Sequence, residues 1–81
     1  MNVERTDRFL RIFSKIRDAS TKERVFRQIE KILLDPELGK PMRYARKGTR
    51  EVYVTPFRLS YAYAKEENKI IFLDLYHKDE Q

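Results

Sequence analysis

Arg43, Arg46, Lys47, Arg50, Glu51, Tyr53, Arg58, His77 and Lys78 are the side chains of this 81-residue sequence best suited to handling a phosphate or a proton. They match no glycine-rich phosphate loop, no Ser/His/Asp order and no Cys/His pair. Arg58 stands between Phe57 and Leu59, where a strand would hold it. A held guanidinium offers two parallel donors to two phosphate oxygens. Its competing use is an ion pair with Glu51 across the Thr55-Pro56 hairpin. His77 is the only histidine, and imidazole is the side chain that titrates nearest neutrality, so it is the natural proton donor or acceptor. At the end of the last strand, beside Lys78, it can equally be a merely exposed residue. Tyr53 and Glu51 alternate onto the Arg58 face. There Tyr53 would stack on a base or pack as a half-buried strand residue, and Glu51 would act as a base or as an orienting partner. Arg43, Arg46, Lys47 and Arg50, with Tyr44 among them, form a basic patch that is either an RNA-binding surface or an ordinary solvated face.

Composition narrows the chemistry. With 18 Lys+Arg against 13 Asp+Glu the net charge is +5. Residues 36–63 hold six of the positive charges and only two of the negative, so the middle of the chain is its basic part and favours a polyanionic partner. There is no cysteine, which excludes disulfides and thiolate zinc sites, and a lone histidine builds no metal centre. Neither a metal nor a cofactor is expected. No run approaches the ~20 apolar residues of a membrane span, and the charged start at Glu4, Arg5, Asp7 and Arg8 lacks a signal-peptide apolar region, so a cytoplasmic location with no membrane contact is expected. Hydrophobic residues make up 41% of the chain and charged residues 38%. One domain spanning residues 1–81, with a thin core, is what this length supports.

The positioning elements follow from periodicity. Phe9, Leu10, Phe13 and Ile16 recur at helical spacing between Thr6 and Arg17, with Thr6 or Asp7 placed to cap the start. Ser20-Thr21-Lys22-Glu23 has the capping-box pattern and opens a second helix. Its buried stripe is read as Val25, Phe26, Ile29, Ile32 and Leu33, and Asp35-Pro36 stops it. A link of about three residues makes the two helices antiparallel. After Gly39 the period becomes two. Strands are expected at Met42 to Ala45, Arg50 to Thr55, Phe57 to Ala64 and Ile70 to Tyr76, and Asn2 to Arg5 is a candidate short edge strand. The fold class is α+β: an antiparallel helical hairpin on a small antiparallel meander of three to four strands. In the third strand Phe57, Leu59, Tyr61 and Tyr63 share the face toward the helices. Arg58 is thereby placed on the other face, where its truncation removes no core volume.

Three strings stand out in this order of elements: Asp35-Pro36-Glu37-Leu38-Gly39-Lys40-Pro41-Met42-Arg43, Arg50-Glu51-Val52-Tyr53-Val54-Thr55-Pro56-Phe57-Arg58-Leu59-Ser60-Tyr61, and Tyr76-His77-Lys78. Together they resemble the RelE/ParE superfamily of toxins from type II toxin–antitoxin systems, over nearly the whole chain. The most specific part is Phe57-Arg58-Leu59-Ser60-Tyr61, similar to the family's aromatic-Arg-aliphatic-x-Tyr strand. The resemblance implies a ribosome-dependent, metal-independent endoribonuclease that cuts mRNA in the A site. ParE-like members with the same fold inhibit DNA gyrase instead, and a non-catalytic RNA-binding module is the third reading. By resemblance Arg58 contacts the scissile phosphate, Lys78 is the C-terminal cation, His77 is the histidine that precedes it, and Arg43 is the basic residue of the first meander strand. Glu51 and Tyr53 stand where some RelE toxins carry lysines. The implied partners are a cognate antitoxin in a hetero-oligomer, the ribosome and mRNA.

Overall fold

The computed structural model describes residues 1–77. The chain runs β1 (Asn2–Arg5), α1 (Asp7–Lys15), α2 (Ala19–Leu34), β2 (Lys40–Pro41), a 3-10 turn (Tyr44–Arg46), β3 (Thr49–Val54), β4 (Phe57–Ala64), a second 3-10 turn (Lys65–Glu67) and β5 (Lys69–His77). The strands form one sheet in the order β1-β5-β4-β3-β2. Its meander is antiparallel, and β1 joins β5 in parallel. The sheet is therefore mixed and five-stranded, larger than the three- to four-stranded meander expected. The Asn2–Arg5 edge strand is present. α1 lies over β5 and α2 over β3.

Each helix begins at a side-chain cap. Thr6 Oγ1 accepts from the Phe9 N–H at 3.0 Å and donates to the Leu73 carbonyl at 2.6 Å, so one hydroxyl starts α1 and ties it to β5. α2 is capped by Asp18, not by the expected Ser20. The Asp18 carboxylate accepts from the Ser20 N–H at 3.1 Å and the Thr21 hydroxyl at 2.6 Å. These bonds hold its pKa below the ordinary value, the Thr21 bond most strongly. A carboxylate at a helix start also meets the positive end of the helix dipole, an advantage Ser20 lacks. Glu23, released from the capping box, pairs with Arg27 at 2.8 Å.

The core between helices and sheet is built from Phe9, Ile16, Val25, Ile32, Val54, Leu59, Tyr61, Ile70, Phe72 and Leu75. In α2 only part of the expected stripe is buried. Val25 and Ile32 are fully enclosed and Ile29 packs against the core, but Phe26 and Leu33 face outward. The Phe26 ring meets Phe13 of α1 edge-on at 5.2 Å and is otherwise exposed, so the outer flank of α2 is only partly covered.

The expected strand at Met42 to Ala45 is absent. Pairing with β3 covers only Lys40 and Pro41. The chain then turns at Tyr44, whose φ of 58° lies in the left-handed region and breaks an extended run. Beyond it the Arg46 side chain bonds to Glu51 and Tyr76, a polar attachment that outweighs the weak alternation of this segment.

The preceding loop is held from below. The Tyr61 hydroxyl donates to the Pro36 carbonyl and accepts from the Gly39 N–H, both at 2.8 Å. Arg50 Nη1 donates to the Glu37 and Gly39 carbonyls at 3.0 and 2.8 Å. A Cβ at position 39 would stand 2.8 Å from the Tyr61 ring and hydroxyl, so close approach requires glycine there. Tyr61→Phe leaves two backbone groups without their partner and should destabilise the fold by about 1–3 kcal/mol in urea denaturation, with Gly39→Ala also destabilising.

Candidate functional site

On the sheet face away from the helices, register places Tyr53, Arg58 and Tyr76 abreast on β3, β4 and β5. Arg58 lies over the Tyr53 ring, its Cζ 5.7 Å from the centroid, and Nη1 stands 3.7 Å from Glu51 Oε1. Glu51, at 7% exposure, is the buried charge of this face. Its Oε2 accepts a short hydrogen bond from the Tyr76 hydroxyl and another from Arg46 Nη1 at 3.1 Å. Arg46 Nη1 also donates to the Tyr76 oxygen at 2.6 Å, and its Cζ lies 5.1 Å from the Tyr76 ring centroid. Glu51 Oε1 accepts no hydrogen bond. The Tyr76 hydroxyl is pushed up from its ordinary pKa of 10.0, first by burial and then by its bond to Glu51. Arg46 is raised as well, chiefly by its bond to Tyr76.

Beside this network lies a groove of about 880 Å³, lined by Lys40, Pro41, Met42, Arg43 and Tyr44 on one side and by Glu51, Val52, Tyr53 and Arg58 on the other. Tyr44 is 92% exposed and Tyr53 50%. Cations beside exposed rings suit a flexible polyanion with planar bases, since phosphates meet the cations and bases stack on the rings.

The residues picked out by sequence divide accordingly. Arg58, Tyr53, Glu51 and Arg43 meet at the groove. Arg58 makes the ion pair with Glu51 that was its competing use, and it also lines the groove. Arg46 is held by Glu51 and Tyr76. Lys47 is exposed in the turn before Gly48. Arg50 is not brought to Arg58: it alternates onto the helix-bearing side, where it holds the loop before β2 and pairs with Glu37 at 3.7 Å. His77 is not brought to the groove lining either. It is opposite Phe57 in the β4–β5 register, ring edge to ring face at 6.0 Å. Lys78 lies outside the described residues.

Sequence reading missed Tyr76 and Lys40. The signal for Tyr76 was hidden by a bulge. Ser60 pairs with Asp74 but Tyr61 pairs with Phe72, so Leu73 is the extra residue of β5. Core positions run Ile70, Phe72, then Leu75, and simple alternation across the bulge assigns Tyr76 to the wrong face.

A family model described as the ParE toxin of the type II toxin–antitoxin system parDE matches residues 3–81. Among solved structures, the YoeB/ParE toxin from Agrobacterium tumefaciens superposes with a TM-score of 0.82 at 17% identity, covering 95% of this chain and 98% of that one. A chain of the intact E. coli RelBE toxin–antitoxin complex gives 0.79 at 13%, with 94% of each chain covered. The archaeal RelE–RelB complex from Pyrococcus horikoshii gives 0.76 at 12%, covering 99% and 97%. At these identities the likeness is one of fold. No curated protein matches the chain.

Two outcomes follow for stability. Parity alone implies that Arg58→Ala leaves the fold unaffected, but the buried Glu51 carboxylate would lose one of its two cationic neighbours and keep only Arg46. Discounted for the partial exposure of Arg58, the cost should be about 1–2 kcal/mol, read from chemical denaturation. Tyr61 and Tyr76 are both raised above 10.0, each mainly by burial. A raised folded-state pKa stabilises fully below the unfolded value, and the contribution is lost as pH rises through the folded one. Stability should therefore decline above about pH 10, less steeply in Tyr76→Phe, as followed by denaturant titrations between pH 8 and 11.

Proposed function

The chain belongs to the ParE toxin family of type II toxin–antitoxin systems, and from that premise we propose that it is a RelE-like endoribonuclease that cuts mRNA on the ribosome. The observation that carries this reading is Arg58, held between Tyr53 and Glu51 at the side of a groove with exposed rings and further cations. In metal-free RNA cleavage the 2′-OH attacks the adjacent phosphorus and the P–O5′ bond breaks. A base takes the 2′-OH proton and an acid protonates the leaving 5′ oxygen. Arg58 neutralises the charge that develops on the phosphoryl oxygens, Tyr53 stacks a neighbouring base, and Arg43 holds a flanking phosphate. His77 as acid and Lys78 as second cation rest on the resemblance of the Tyr76-His77-Lys78 ending.

Dependence on the ribosome is supported by what Glu51 is doing. As the carboxylate in the groove lining it is the candidate base, yet Oε2 is engaged twice and Oε1 is enclosed. The protein then supplies mainly cations, and the ribosome supplies the in-line geometry of the RNA.

The second reading, a gyrase inhibitor, draws on the same engaged carboxylate and on the ParE family model. For a partner we propose a cognate antitoxin forming a hetero-oligomer, as in the RelBE and RelE–RelB complexes. An acidic, amphipathic segment suits exposed Phe26, Leu33 and Leu34 beside Arg27 and Lys31 on α2. No helix among the described residues is long and apolar enough to cross a membrane, and a ribosomal target places the proposed activity in the cytoplasm.

Primer extension on mRNA in a reconstituted translation reaction tests the proposal, with gyrase supercoiling assayed in parallel. Cleavage should occur only in translated message, and Arg58→Ala should slow it by about 10²–10³-fold. Equal cutting of naked RNA would remove the ribosome from the mechanism. Gyrase inhibition without cleavage would establish the second reading.

A further inference from the structure

The link from β2 to β3 places a tyrosine where the backbone favours glycine or asparagine. Tyr44 has a φ of 58°, in the left-handed region, where the Cβ of a bulky L residue crowds its own backbone. The turn around it enforces that conformation. The Arg46 N–H donates to the Arg43 carbonyl at 3.2 Å and the Lys47 N–H to the Tyr44 carbonyl at 3.0 Å. The Thr49 hydroxyl donates to the Arg46 carbonyl at 2.7 Å, and the Arg46 side chain is fastened to Glu51 and Tyr76. Folding gains little from the ring, because Tyr44 is 92% exposed. A smaller residue would fit the turn better and lose almost no burial, so the phenol strains the backbone without serving the core. Strain of this kind collects at sites that hold a ligand.

The surroundings of the ring identify what it would hold. Lys40 and Arg43 line the same wall of the groove, and neither side chain forms an ion pair among the described residues. Across the groove Tyr53 also offers a ring, but the Arg58 guanidinium lies over it, 5.7 Å from the centroid. At its exposure Tyr44 keeps both ring faces open. We infer that Tyr44 is a nucleobase-stacking residue, and that Lys40, Arg43 and Tyr44 form a nucleotide subsite for a single-stranded RNA lying in the groove. The ring takes a base and the two cations take the adjoining phosphates. This inference rests on the RNA reading above, and it requires nothing of the Arg58 guanidinium. A ring already fixed at the groove rim loses little freedom on stacking, which is what the strained turn secures. Stacking tolerates any base, so the subsite senses that a base is present and not which one.

The test uses the full chain, a single-stranded RNA oligonucleotide and a matching abasic strand, with affinity followed by fluorescence anisotropy. Tyr44→Asn should bind the RNA about tenfold more weakly, and Tyr44→Trp should bind at least as tightly as wild type. On the abasic strand Tyr44→Asn and wild type should bind alike, since the ring has no base to meet. The salt dependence of RNA binding should keep its slope in Tyr44→Asn and flatten in Lys40→Gln, which removes a phosphate contact. Stability should not follow affinity: asparagine suits the left-handed turn, so Tyr44→Asn should melt no lower than wild type. Cleavage of translated message should slow in Tyr44→Asn as well. A Tyr44→Asn variant that melts lower and binds both strands equally weakly would give the ring a structural role and overturn the inference. Slower cleavage with unchanged oligonucleotide binding would move the ring's contact to the ribosome and overturn the groove subsite. Affinity and cleavage both unchanged in Tyr44→Asn, where wild type binds or cuts, would overturn the subsite and leave the RNA reading standing. Wild-type protein that neither binds nor cuts RNA would overturn both.

Discussion

β4 is hydrogen-bonded along both edges, to β3 and to β5, and that double commitment fixes everything else. A strand paired on both sides cannot slip by one residue without exchanging its faces. Leu59 and Tyr61 are therefore committed to the helices, and Arg58 and Ser60 to the opposite side. The helix-bearing face carries most of the apolar burial. The other face is thereby available for charge, and its Glu51 tolerates enclosure because three polar neighbours surround it.

Two tyrosines of similar environment serve the two sides. Tyr61 reaches through the core to anchor the loop before β2 by its backbone. Tyr76, on the opposite face, anchors the segment after β2 through Arg46. Between them they bracket the stretch from Pro36 to Arg46, which supplies one wall of the groove. The groove is thus shaped by buried phenols although its own wall carries almost no regular structure.

The helices, β4 and the edge strand were legible in the sequence because each rests on a local pattern: spacing of 3.6 in Phe9, Phe13 and Ile16, alternation in Phe57, Leu59 and Tyr61. Placing Arg58 with Glu51 and Tyr53 needed only parity on two strands joined by a tight turn. What failed depended on non-local contacts. The Tyr44 turn is made by Arg46 reaching a carboxylate on β3 and a hydroxyl on β5. The facing of Tyr76 is set by a one-residue bulge at Leu73, which the sequence marks by neither glycine nor proline. Asp18 displaced Ser20 as the α2 cap because cap strength depends on charge as well as on pattern.

Charge counting, finally, overstates what a nucleic acid would meet. The basic middle of the chain looks like one patch in sequence, yet its cations are divided by structure. Arg50 faces the helix side and bonds to carbonyls and Glu37, while Arg46 is bonded to Glu51 and Tyr76. Both charges are largely spent within the protein, and a spent arginine contributes little to counterion release on binding a phosphate backbone. Lys40 and Arg43, which line the groove with Arg58, are the cations whose placement suits a passing strand. The same two internal pairings that subtract from the basic patch also fix the wall and floor against which Arg58 is held, so the loss of binding charge is the condition for a defined site.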